Sequence, residues 1–145
     1  MTLRRFFLAL AVAMAASPVA AQAQKQVLPA GPGVSNTATL SAGVRVGDLL
    51  YLSGQLPARG DSTIEGQTKS ALEKMNPILA AAGTSAANIV KCTVFLIDVK
   101  DFAGMNKAYQ EFFTKEPPAR STVVVAALVS AGAKLEIECI AAIPK

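Results

Sequence analysis

Between residues 62 and 112 the apolar spacing switches from helical to extended and back again, and this constrains the fold more than any other feature. Leu72, Met75, Leu79 and Ala82 recur at intervals of three and four residues, which aligns them on one face of a helix. "NIVKCTVFLIDV" (88–99) is β-branched and apolar, with the length of a strand. Phe102, Met105, Tyr109 and Phe112 then return to the helical interval and read as a helix core. Single strands alternating with helices imply a sheet that carries its helices on a face.

The flanking segments are extended. "ATLSAGVRVGDLLYLSGQLP" (38–57) reads as two short strands joined at Gly47-Asp48. Two more strands, Ala119 to Leu128 and Ala133 to Ile143, close the chain. The order is ββαβαββ, an α+β fold with a mixed sheet and two helices on one face. Boundary signals agree with it. Ser62 and Glu65 have capping-box spacing, Gly83 is a helix stop, and Asp101 is a candidate N-cap for the second helix. Pro77 lies inside the first helical pattern and should kink or split it.

Residues 1–23 have a different character. A basic start with Arg4 and Arg5, an apolar stretch and a small-residue end, "SPVAAQA", give the layout of a secretory signal peptide. The apolar part is too short for a permanent membrane span. Cleavage after Ala23 fits best, with cleavage after Ala21 the alternative. The expectation is a secreted or periplasmic protein that has no membrane attachment once the leader is removed. Residues 24–36, rich in proline, glycine and polar side chains, read as a flexible arm, and 37–145 as one domain.

The leader also distorts the charge balance. The chain carries 14 basic and 10 acidic residues. Without Arg4 and Arg5 the balance is 12 − 10 = +2, and no basic cluster interleaved with aromatics remains to suggest a nucleic-acid surface. The absence of histidine removes the commonest general base and metal ligand. Cys92 and Cys139 lie in separate apolar runs; they could pair in an exported protein or serve as small core residues.

One arginine heads the apolar run "PPARSTVVVAALV" (117–129). Strand alternation puts Arg120, Thr122 and Val124 on one face and Ser121 and Val123 on the other. In "KLEIECIAAIPK", Glu136 and Glu138 oppose Leu135, Ile137 and Cys139. The expectation is a polar face away from the helices that carries Arg120, Thr122 and both glutamates. There Arg120 either forms a surface ion pair with Glu136 or Glu138, or receives a carboxylate ligand through its fork of N–H donors while a glutamate handles a water.

"PPARSTVVVAAL" followed by "KLEIECIAAI" resembles the C-terminal signature of the Rid (YjgF/RidA) family of reactive-intermediate deaminases. The likeness extends to "GDLLYLSGQLP" and "NIVKCTVFLIDVKDFAGMNKAYQEFF". The resemblance implies a chorismate-mutase-like fold and a homotrimer with inward-facing sheets and clefts between subunits. It also implies cofactor-free and metal-free hydrolysis of 2-imino acids and their enamine tautomers, 2-aminoacrylate among them, to 2-oxo acids and ammonia. By the same resemblance, Arg120 is the carboxylate-binding residue and Glu136 activates the water, while Asn106, Ser53 and Thr122 line the pocket. Leu40 stands where the family's deaminases have an aromatic ring, and the segment between "FFT" and "PAR" is short. The alternative reading is a non-catalytic small-carboxylate-binding or holdase-like relative; ribonuclease action ranks last.

Overall fold

A computed structural model describes residues 24–145 of the 145-residue chain. The expected leader, residues 1–23, lies outside the described residues. Six strands form one sheet: β1 (Lys25–Val27), β2 (Gly43–Val46), β3 (Leu49–Gln55), β4 (Ile89–Leu96), β5 (Ala119–Val124) and β6 (Leu135–Ala142). Their spatial order is β1-β2-β3-β6-β4-β5, so the last strand in the sequence lies inside the sheet. All pairings are antiparallel except β4 with β5, which α3 (Phe102–Phe112) connects as a crossover.

The first helical pattern is two helices, α1 (Ile64–Glu73) and α2 (Met75–Ala81), divided at Lys74 three residues before Pro77. Pro77 has no N–H to give, so it sits in the first turn of α2, where none is needed. The N-cap of α1 is Thr63, whose hydroxyl accepts from the Gly66 N–H at 3.1 Å. The capping-box pair Ser62–Glu65 is therefore displaced by one residue. Asp101 precedes α3 without capping it; its carboxylate takes Lys134 instead, at 3.2 Å. Gly83 ends α2 with φ +76°, a conformation that glycine adopts without steric cost.

Leu50, Leu52, Val94, Leu135 and Ile137 on the sheet and Leu72, Met75, Leu79 and Met105 on the helices form one buried cluster. Cys92 and Cys139 face each other across β4 and β6 inside it and are joined as a disulfide, with Cα atoms 4.1 Å apart. Gln67 is buried and fully used. Its amide donates to Asp61 O and Gly132 O, and its oxygen accepts from Lys134 N, which ties the β3–α1 loop to the β5–β6 loop.

The arm at 24–36 is docked rather than loose. Lys25–Val27 adds an edge strand to β2, Leu28 and Val34 are buried, and Asn36 clamps Leu28 O and Ala42 N at 2.8 Å each. Its proline and glycine content shapes a hairpin-like turn at Gly31–Val34. Two apolar side chains, a strand pairing and the Asn36 clamp together anchor it.

Candidate active site

The β4–β5 register fixes where Arg120 points. Cys92 pairs with Arg120 and Val94 with Thr122, and paired residues share a face. Cys92 and Val94 are core residues, so Arg120 and Thr122 lie on the helix side of the sheet. Glu136 pairs with Phe95 and Glu138 with Thr93, which places both on the opposite side. The expected common polar face does not exist. Alternation within each strand was right; the relation between the two strands depends on a pairing that neither strand encodes.

A cation is tolerated on the helix side because β5 is an edge strand and α3 supplies polar and aromatic partners. Arg120 Nη2 donates to Asn106 Oδ1 at 2.6 Å, and Nη1 approaches Met105 Sδ at 3.7 Å. The guanidinium carbon lies 4.6 Å from the Tyr109 ring centre and 5.9 Å from that of Phe102. Stacking on aromatic faces suits a planar cation. Among the described residues no carboxylate lies within ion-pairing distance of Arg120. The ion pair with Glu136 or Glu138 is not formed.

Part of the helical apolar stripe thus supports Arg120. Met105 and Tyr109 are buried, whereas Phe102 is exposed beside the guanidinium. The Tyr109 hydroxyl is buried without a hydrogen-bond partner among the described residues, and its burial pushes the phenol pKa up to about 12, against a smaller opposing pull from Arg120. Sequence spacing placed these rings correctly on the core side. It had no means of showing that an arginine from a distant strand would rest on them.

The second group of predicted residues lies elsewhere. Leu40 and Ser53, with Gly54 and Gln55, line a hollow of about 410 Å³ between the arm and α2. The Ser53 hydroxyl is committed to Ser41 O at 2.6 Å. Glu136 lies against Gly54, where a Cβ would collide with its carboxylate. Gly54, not Ser53, is therefore the residue of "SGQ" that admits Glu136, and the missing side chain is the signal that could have identified it. One chain brings Arg120 together with Asn106, with Thr122 two residues along the same face. It brings Glu136 together with Gly54, on the other face. The two groups do not meet. Among the described residues no cluster of three His, Cys, Asp or Glu side chains could hold a metal ion.

Comparison with known proteins gives this arrangement a family. Residues 33–143 match the sequence model described as Endoribonuclease L-PSP. Reactive Intermediate Deaminase A of Arabidopsis thaliana chloroplasts is 37% identical over 128 residues, 84% of this chain and 68% of that one. Protein mmf1 of Schizosaccharomyces pombe mitochondria is 39% identical over 116 residues, 76% of this chain and 72% of that one. Among solved structures, the Rid-family protein YyfA of Yersinia pestis aligns with TM-score 0.76 and 34% identity over 83% of this chain and all of that one. TdcF of E. coli, solved with bound serine, aligns with TM-score 0.73 and 33% identity over 82% of this chain and 99% of that one. With fold, signature and relatives in agreement, the chain belongs to the Rid (YjgF) family.

Proposed function

We propose that the protein hydrolyses small 2-imino acids and their enamine tautomers to 2-oxo acids and ammonia, in a cleft shared by two subunits of a homotrimer. The observation that carries this reading is Arg120. Its guanidinium is oriented by Asn106 and Tyr109, retains unused N–H donors, and has no carboxylate among the described residues to neutralise it. A planar fork in that condition suits a ligand carboxylate. The relatives support it: one is named a reactive intermediate deaminase, and another was solved with serine bound.

The same geometry supports the assembly. Arg120 and Glu136 face opposite ways in one chain, so a small substrate meets both only if a neighbour supplies one of them. Tyr51 and Val123, on the face away from the helices, are exposed apolar side chains that such an assembly would cover. The disulfide favours an oxidising compartment and with it the exported location expected from the leader.

In the reaction, Arg120 holds the substrate carboxylate and thereby orients the C=N bond. Glu136 of the neighbouring subunit takes a proton from water as the water oxygen bonds to the imine carbon, and returns that proton to nitrogen. The resulting carbinolamine gives up its hydroxyl proton by the same route, the C–N bond breaks, and ammonia leaves a 2-oxo acid. The protein forms no covalent bond with the substrate.

A second reading, a carboxylate-binding protein without turnover, is favoured by Leu40, which is 51% exposed where the family's deaminases carry a ring. Ammonia release from 2-aminoacrylate and from oxidase-generated imines separates the two. Arg120→Ala should abolish the acceleration over spontaneous hydrolysis while the assembly persists. Glu136→Gln should slow turnover more than it weakens binding of the carboxylate. Binding without acceleration of any imine would establish the second reading.

A further inference from the structure

Arg120 forms one end of a cavity of about 500 Å³ whose other walls are Tyr109, Phe113, Pro117 and Pro118, with the amides of Asn106 and Gln110 at its edge. Apart from Arg120 none of these residues carries charge. The walls are held in place. Tyr109 and Phe113 stack with ring centres 4.6 Å apart, and Phe113 is itself buried against Phe112. The segment that brings Pro117 and Pro118 to the lining is brief. It turns at Glu116, which has φ 47°, and passes directly into two prolines whose own φ angles are fixed. The cavity therefore exists before any ligand arrives, as ligand sites commonly do.

A three-carbon acid held by Arg120 would occupy a small part of this space. We propose that the cavity is a side-chain subsite, and that the preferred substrates are 2-imino acids with aromatic or bulky apolar side chains. The inference rests on reading Arg120 as the carboxylate anchor. With the carboxylate on Arg120, the side chain runs along the Tyr109–Phe113 wall and the prolines. The reacting carbon is left facing outward, where the neighbour's glutamate is to act. Flat rings match such a wall through offset or edge contacts, and apolar area removed from water adds to them. The shortness of residues 115–117 takes on a purpose here: a longer connection would have chain to place over the cavity.

The test compares imines generated by amino-acid oxidase from phenylalanine, leucine and alanine, with calorimetric binding of phenylpyruvate and pyruvate to the intact protein. The phenylalanine-derived imine should show a kcat/KM at least about tenfold above the alanine-derived one, a ratio typical of a filled apolar pocket. Phenylpyruvate should bind tighter than pyruvate by a similar factor, and Arg120→Ala should lose both ligands. Gln110→Trp, a change at an exposed helix position that projects a ring into the cavity, should lower the ratio of large to small substrate by about tenfold. Equal rates for the two imines, or an unchanged ratio in the variant, would overturn the proposal. If no imine is hydrolysed yet phenylpyruvate still binds preferentially through Arg120, the deaminase reading fails and the subsite stands. If neither 2-oxo acid binds, the subsite falls.

Discussion

Arg120 and Glu136 stand two strands apart on opposite faces of one sheet, the arginine toward the helices and the glutamate away from them. On the proposed reading each is half of a site, and the halves can be separated genetically. Arg120→Ala and Glu136→Gln subunits should each be inactive alone. Co-expressed, they should recover about a quarter of wild-type turnover, because random assembly reunites an intact arginine with an intact glutamate at that frequency in a cyclic oligomer. No recovery in mixed assemblies, confirmed by native mass spectrometry, would place both residues in the site of a single chain.

Gly54 offers a quieter way of disturbing the same glutamate. Gly54→Ala puts a methyl group where the Glu136 carboxylate now rests. The carboxylate is the flexible end of its side chain, so it swings aside and the fold survives. Activity should fall by about a hundredfold, the scale expected for a misplaced catalytic group. The thermal midpoint should stay within a few degrees of wild type. Unchanged turnover would mean that the orientation of Glu136 is immaterial.

Tyr109 gives a pH signature. Its phenol pKa is raised to about 12, chiefly by burial. Below pH 10 the hydroxyl is protonated in both folded and unfolded chains, so its contribution to stability is complete. Between about pH 10 and 12 only the unfolded chain ionises, and stability declines with rising pH. Tyr109→Phe keeps the ring beneath Arg120 and removes a buried hydroxyl that has no partner. The variant should equal or exceed wild type in stability by up to about 1 kcal/mol at neutral pH and lose this alkaline component. Urea titrations at pH 8 and pH 11 would show both effects.

The Cys92–Cys139 bridge closes a separation of 47 residues between two inner strands. Replacing both cysteines by alanine should cost about 2 to 4 kcal/mol, of which part is unfolded-chain entropy and part lost packing. Intact-mass measurement of the purified, unreduced protein should show two hydrogens fewer than the free-thiol formula. Free thiols in the folded protein would remove the bridge and with it one support for an oxidising location.

The alternation of helical and extended segments was readable because each period is a local property of a few side chains. The splitting of the first helix at Pro77 and the stop at Gly83 were readable for the same reason. The docked arm was missed because Leu28 and Val34 are isolated apolar residues in a polar, proline-rich stretch, and only the core they enter explains them. The relative facing of Arg120 and Glu136 was not legible. Facing within β5 and within β6 was correct, yet the two strands are separated by β4, and a shift of one residue in either register reverses the face. Composition offered no guide either, since an edge strand beside an aromatic helix can carry an arginine toward the core. The family signature named Arg120 and Glu136; their opposition became visible only with the pairing.

The position of β6 bears on how the molecule comes into being. It is the last of the six described strands in chain order, yet it joins β3 to β4, and its Leu135, Ile137, Cys139 and Ala141 fill the middle of the core. Without it, β1-β2-β3 and β4-β5 are separate ribbons that meet only through the packing of their helices. The sheet can therefore close only once this C-terminal strand is available to bridge its two halves. Truncation before Leu135 would remove the keystone of the sheet rather than its trim.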